Sequence, residues 1–129
     1  MSRIRWGLLG AGRISGWFAT GLSVLPDDAE LYAIASRDLN KAQAFAEKFH
    51  VTTAYGDYES MIRDPNVDII YVGTPIACHY ENVRQCLLGG KNVLCEKAFP
   101  VTAAQARELQ ELAQARGLFL MEGMWTKCQ

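Results

Sequence analysis

The chain has 129 residues, 50% hydrophobic and 21% charged, which is the composition of one ordinary globular domain and excludes a disordered segment. Thirteen basic and fourteen acidic residues leave a formal net charge of -1, without the basic excess that phosphate-neutralising nucleic-acid binders carry. The longest uncharged stretches, residues 14–26 and 69–80, are shorter than the about 20 apolar residues that span a membrane.

The first residues run directly into a strand pattern, with no apolar signal core. Cys78, Cys86, Cys95 and Cys128 form no CxxC pair and no zinc-site spacing, so they read as buried or half-buried free thiols. The expectation is a cytoplasmic domain with no metal site and neither nucleic acid nor membrane as partner.

In chain order, residues 4–9 form an apolar run that ends in Gly10, a first strand. A helix is predicted over 13–24, with Ile14, Trp17, Phe18, Gly21 and Leu22 on its inward face. Pro26-Asp27-Asp28 is a turn, and 31–36 reads as the second strand. Asn40 with Gln43 resembles a capping box for a helix whose stripe is Ala42, Phe45, Ala46 and Phe49. A short strand over 51–54 follows, then a short helix capped by Asp57 and carrying Tyr58, Met61 and Ile62.

The second half repeats the rhythm. Residues 68–73 hold Ile69-Ile70-Tyr71-Val72, the continuous apolar run of a strand covered on both faces. A helix over 79–88 turns Tyr80, Val83 and Leu87 inward and stops at Gly89-Gly90. Residues 92–95 are strand again. Thr102 and Gln105 open a further helix, with Ala106, Leu109, Leu112 and Ala113 inside and Gly117 at its stop, before a sixth strand over 118–121.

Six strands separated by helical crossovers define an α/β fold, a doubly wound parallel sheet. The expected order is that of a Rossmann dinucleotide-binding fold, 3-2-1-4-5-6, taken from the fold and not from the residues. A flavodoxin-like sheet shares the alternation, so the loops must discriminate.

The first loop reads Gly10-Ala11-Gly12-Arg13-Ile14-Ser15 between strand and helix, the context a dinucleotide fingerprint requires. Gly10 permits the tight turn, and Gly12 lets a pyrophosphate approach the helix N-terminus, where free N–H groups and the dipole favour anions. Arg13 and Ile14 complete this candidate cofactor wall. Ser15 stands where the pattern usually has Gly or Ala.

The second strand ends in Ser36-Arg37-Asp38 instead of the lone acidic residue that reads ribose hydroxyls in NAD sites. Arg37, with Lys41 beyond it, suits a 2′-phosphate, so NADP is the expected cofactor and NAD, through Asp38, the alternative. Thr74 and Pro75 end the fourth strand at the topological switch point, and Glu96 and Lys97 end the fifth at the same rim. Lys97, behind an apolar run, is placed for a partly desolvated site, with a plain surface lysine as the bland alternative. His79 opens a helix and serves either as a donor to a bound amide or as a packing residue.

Taken together, Gly10-x-Gly12, Ala35-Ser-Arg37-Asp38, Tyr71-Val-Gly-Thr74-Pro75 with His79, and Glu96-Lys97 resemble the glucose–fructose oxidoreductase/inositol dehydrogenase/MocA family over essentially the whole chain. Ala54-Tyr-Gly-x-Tyr58, Asp64-Pro-Asn-Val67 and Leu118-Phe-Leu-Met-Glu122 with Trp125-Thr-Lys127 are similar to its diol- and sugar-oxidising members. The resemblance implies hydride transfer between NADP and the carbinol carbon of a dihydrodiol or sugar. It implies Lys97 at the active site as support for an acid–base residue of a second domain, His79 at the position of the family histidine, and Trp125 as a bulky residue near the substrate pocket. It also implies that residues 1–122 are the NADP-binding domain and 123–129 the start of a connection to an α/β substrate domain. That domain would carry most substrate contacts and the homo-oligomer contact of the parent enzyme.

Where the family reads Glu-Lys-Pro, this chain has Glu96-Lys97-Ala98, a departure that bears on the aim of Lys97. The expected role is thus the cofactor domain of an NADP-dependent oxidoreductase, inactive by itself. The alternative is a non-catalytic dinucleotide-binding module or sensor.

Overall fold

The computed structural model describes residues 3–96 and 102–122. Its elements are β1 (Ile4–Leu9), α1 (Arg13–Leu22), β2 (Ala29–Ala35), α2 (Leu39–Phe49), β3 (Thr53–Tyr55) and α3 (Tyr58–Ile62) in the first half. The second half comprises β4 (Ile69–Val72), a 3₁₀ turn (Ile76–Cys78), α4 (His79–Leu88), β5 (Asn92–Cys95), α5 (Ala103–Ala115) and β6 (Leu120–Glu122). All five strand pairings are parallel and the order is β3-β2-β1-β4-β5-β6, the order expected of the Rossmann fold. The order reverses between β1 and β4, whose registers end together at Leu9 opposite Val72, and the crevice beyond that point is where ligands bind in such sheets.

The sheet is buried on both faces. Leu8, Ile34 and Tyr71 face α1 and α2, packing with Ala19, Ala42 and Phe45. Leu9, Ile70, Val72 and Val93 face α3, α4 and α5, packing with Met61, Val83, Leu87 and Leu109. This explains why β4 reads as an unbroken apolar run and not as an alternation.

The two halves are pinned at the bottom of the sheet by Lys91, which is nearly buried and donates from Nζ to the carbonyls of Asp64 and Val67 at 2.6 and 2.7 Å. Arg5 reaches the same turn, its backbone N–H donating to Asp68 at 2.8 Å. Asp57 and Thr102 cap α3 and α5 by accepting from Ser60 N–H and Gln105 N–H, as their spacing implies.

Three expectations need correction. The cap of α2 is Asp38, which accepts from Asn40 N–H at 2.9 Å, because an acidic side chain one residue before the helix reaches its orphan donors first. Strands β2, β3 and β6 are displaced by one or two residues from the predicted spans. The buried face of α1 is Ser15, Gly16 and Ala19, whereas Ile14 and Trp17 are 38% and 64% exposed. Close packing explains this: a Cβ on Gly16 would lie 3.1 Å from the Phe49 ring of α2, so only small residues fit at the contact.

Candidate functional site

The loop after β1 makes the floor of the site. Gly10 has φ +99°, a left-handed conformation costly for residues with a Cβ, and a Cβ there would lie 3.1 Å from Thr74 Cγ2. Its N–H donates to the Ala35 carbonyl at 2.8 Å, tying the turn to the end of β2. Gly12 is different: its φ of -87° suits any residue, and a Cβ there would meet nothing within 4 Å. The open space lies at the N-cap of α1, whose first N–H groups have no intrahelical acceptor and whose first turn holds no acidic residue. Glycine at position 12 therefore keeps room for an anion.

Ser15 occupies the third small position of the fingerprint and is fully buried, with an Oγ that has no hydrogen-bond partner among the described residues. A Cβ on Gly73 would stand only 2.6 Å from that oxygen, so serine and glycine here fill one shared space between α1 and the end of β4.

The second wall comes from the end of β2. Ser36 Oγ accepts from Asp38 N–H at 3.2 Å, which shapes the turn and leaves Arg37 exposed at its tip. Lys41 stands a turn into α2, also exposed, and no ion pair among the described residues engages Arg13, Arg37 or Lys41. One oxygen of Asp38 is committed to the α2 cap, which weakens the case for this carboxylate as a ribose reader.

The third wall is built at the ends of β4 and β5. Thr74 donates from Oγ1 to Asn82 Oδ1 at 2.6 Å, and its carbonyl accepts from His79 Nε2 at 2.6 Å. A carbonyl only accepts, so Nε2 carries a proton. Nδ1 is buried without a partner among the described residues. The sequence offers two roles for His79, and its Nε2–H is engaged within the fold on a buried ring, as for a packing residue. Glu96 accepts a hydrogen bond from the Tyr71 hydroxyl, and burial, followed by that carboxylate, holds the phenol above its usual range.

These walls enclose one cleft of about 760 Å³. Gly10, Gly12, Arg13 and Ile14 line it from the first loop; Ser36, Arg37 and Lys41 from the second; Thr74, Pro75, His79 and Glu96 from the third. Every cofactor-contact residue expected from the sequence, Lys97 apart, thus meets in a single crevice at the switch point. Lys97 and Trp125 lie outside the described residues. Sequence reasoning missed Tyr58 and Ile76, which also line the cleft. From the sequence Tyr58 is read only as part of the short helix capped by Asp57 and of the Ala54-Tyr-Gly-x-Tyr58 resemblance.

Fold and cleft together define an NAD(P)-binding Rossmann domain. The chain belongs to the Gfo/Idh/MocA oxidoreductase family with an NAD-binding Rossmann fold, whose family model matches residues 4–124. It is 47% identical over 125 residues to trans-1,2-dihydrobenzene-1,2-diol dehydrogenase of Sus scrofa, and 44% identical over 125 residues to that of Homo sapiens. Each alignment covers 96% of this chain but only 37% of the relative, so the chain spans little more than a third of the length of the curated relatives it matches. Among solved structures it superposes on a 3-ketoreductase from Actinomadura kijaniata in complex with NADP and TDP-benzene, with TM-score 0.88 and 35% identity. An NAD binding oxidoreductase from Klebsiella pneumoniae gives TM-score 0.86 and 31% identity. These cover 95% of this chain and 38% and 34% of the two structures, respectively.

Proposed function

We propose that this chain is the NADP-binding domain of an oxidoreductase that moves hydride between NADP and the carbinol carbon of a dihydrodiol or sugar. The observation that carries this reading is the convergence on one cleft of an open phosphate turn at Gly12 with Arg37 and Lys41, which make no ion pair among the described residues. The dehydrogenase names of the curated relatives support the activity, and the NADP in the ketoreductase structure supports the cofactor.

The residues fit such a cofactor. The N-terminus of α1 binds the pyrophosphate through N–H groups that have no acceptor within the helix. Arg37 and Lys41 would hold the 2′-phosphate, the guanidinium as a hydrogen-bonding cation and the ammonium as a point charge. His79 lines the cleft at the switch point with Thr74 and Ile76, and its Nδ1, which has no partner among the described residues, is the ring atom left to accept from a bound molecule. When bound, NADP supplies or accepts the hydride at its nicotinamide ring. Lys97, next in sequence to the cleft-lining Glu96, supports proton transfer at the carbinol oxygen, and Trp125 shapes the substrate side. The curated relatives are far longer than these 129 residues, which supports assigning the acid–base residue and most substrate contacts to a part of the protein outside them.

Calorimetric titration with NADP and NAD tests the assignment. Arg37→Ala removes charge-assisted hydrogen bonds worth about 1.5–3 kcal/mol, so NADP affinity falls roughly 10-fold to 150-fold while NAD affinity holds. Equal losses for both cofactors would remove Arg37 from the 2′-phosphate site.

A further inference from the structure

Thr74 stands at the end of β4, directly across the switch-point crevice from Gly10, and α4 grips it twice. His79 Nε2 donates to its carbonyl, and Asn82 Oδ1, one turn further along α4, accepts from its hydroxyl at 2.6 Å. Thr74, His79 and Asn82 are 7%, 1% and 7% exposed, so neither bond has water as a ready substitute. With both polar groups turned toward α4, the Thr74 methyl is left facing the phosphate turn, 3.1 Å from where a Cβ on Gly10 would stand. Thr74 lines the cleft and Asn82 does not.

We propose that Asn82 is a positioning residue for dinucleotide binding: by holding the Thr74 hydroxyl it fixes the Thr74 methyl against Gly10 and so sets the spacing between the phosphate turn and the β4–α4 loop. The proposal rests on the NADP-binding reading. Without the amide acceptor, the buried hydroxyl lacks a partner, and rotation about χ1 brings it toward the phosphate turn, displacing the methyl. A ligand that bridges Gly12 and the β4–α4 loop registers that movement as lost affinity, since a misplacement of about 1 Å caused by a remote substitution is already costly where bound geometry matters.

The test measures NADP dissociation constants and melting temperatures for the wild-type chain, Asn82→Ala, Asn82→Asp, Thr74→Val and the Asn82→Ala/Thr74→Val double variant. Asn82→Ala is expected to weaken NADP binding about fivefold to tenfold, and Asn82→Asp, which keeps an acceptor, to restore most of it. Thr74→Val removes the hydroxyl but keeps the shape, so in that background Asn82→Ala adds less than a twofold loss. A purely structural Asn82 would lower the melting temperature and leave the dissociation constant at the wild-type value, which overturns the proposal. So does an undiminished effect of Asn82→Ala in the Thr74→Val background. Failure of the wild-type chain to bind either NADP or NAD would instead sink the dinucleotide reading itself.

Discussion

Gly73→Ala places one methyl group where the structure has no room for it. The added carbon would lie 2.6 Å from Ser15 Oγ and 2.8 Å from Tyr71 Cε2, both closer than real Cβ contacts. Neither neighbour yields easily. Ser15 is fully buried at the start of α1, and the Tyr71 ring is stacked on Phe18 at 3.9 Å with its hydroxyl held by Glu96. Overpacking of this kind costs about 1–3 kcal/mol. For a chain of this length that is a fall in Tm of roughly 3–15 °C. Ser15→Ala removes the nearer contact together with a hydroxyl that has no partner, and by itself should be neutral or slightly stabilising. The double variant should therefore recover part of the loss, with a coupling of about 0.5 kcal/mol or more between the two positions. Urea denaturation of the four proteins reads all of these quantities. Strict additivity, or a Gly73→Ala chain as stable as wild type, would refute the view that α1 is seated on β4 through this contact.

Three further outcomes follow from the pinning and burial described above. Lys91→Met keeps the aliphatic stem but leaves the carbonyls of Asp64 and Val67 without their donor, so equilibrium denaturation should show a loss of about 1–3 kcal/mol. For Asp68, burial alone would raise the carboxyl, but the backbone and side-chain N–H groups of Arg5 outweigh it and hold the group below its ordinary value. A carboxyl lowered in the folded state contributes stability above its unfolded pKa of about 3.9 and loses it as pH falls through the folded value. Asp68→Asn should flatten the urea-midpoint profile in that acid range, and parallel wild-type and variant profiles would count against the pairing. Burial pushes the Cys86 thiol up to about 12, so it should resist a thiol reagent at pH 8 in the native chain and label only on unfolding. Mass spectrometry after limited labelling locates the modified cysteines, and early modification of Cys86 would contradict its burial.

Much of the site was legible because its chemistry is local. A glycine turn between a strand and a helix, an Arg-Asp pair at a strand end and a Thr-Pro at the next are read from neighbours in sequence, and the crossover rule then brings those strand ends together. The helix face of α1 was not legible. Periodicity ranks residues by hydrophobicity, and it placed Ile14 and Trp17 inside, although the contact with β4 and Phe49 admits only Ser15, Gly16 and Ala19. The α2 cap was misplaced for a related reason, since Asn40 and Gln43 satisfy a pattern whose donor Asp38 already engages.

By itself, then, the order of apolar runs, caps and glycines determined an α/β chain with parallel strands and a phosphate turn, because each of these depends on residues a few positions apart. Tertiary structure alone decided the rest. It showed that His79 spends its Nε2 proton on Thr74, that Asn82 holds Thr74 from outside the cleft, and that Ser15 and Gly73 share one space. Such facts are distances between groups that the chain brings together only by folding. No spacing along the sequence encodes which of two ring nitrogens is already occupied, or how little room remains beside a glycine.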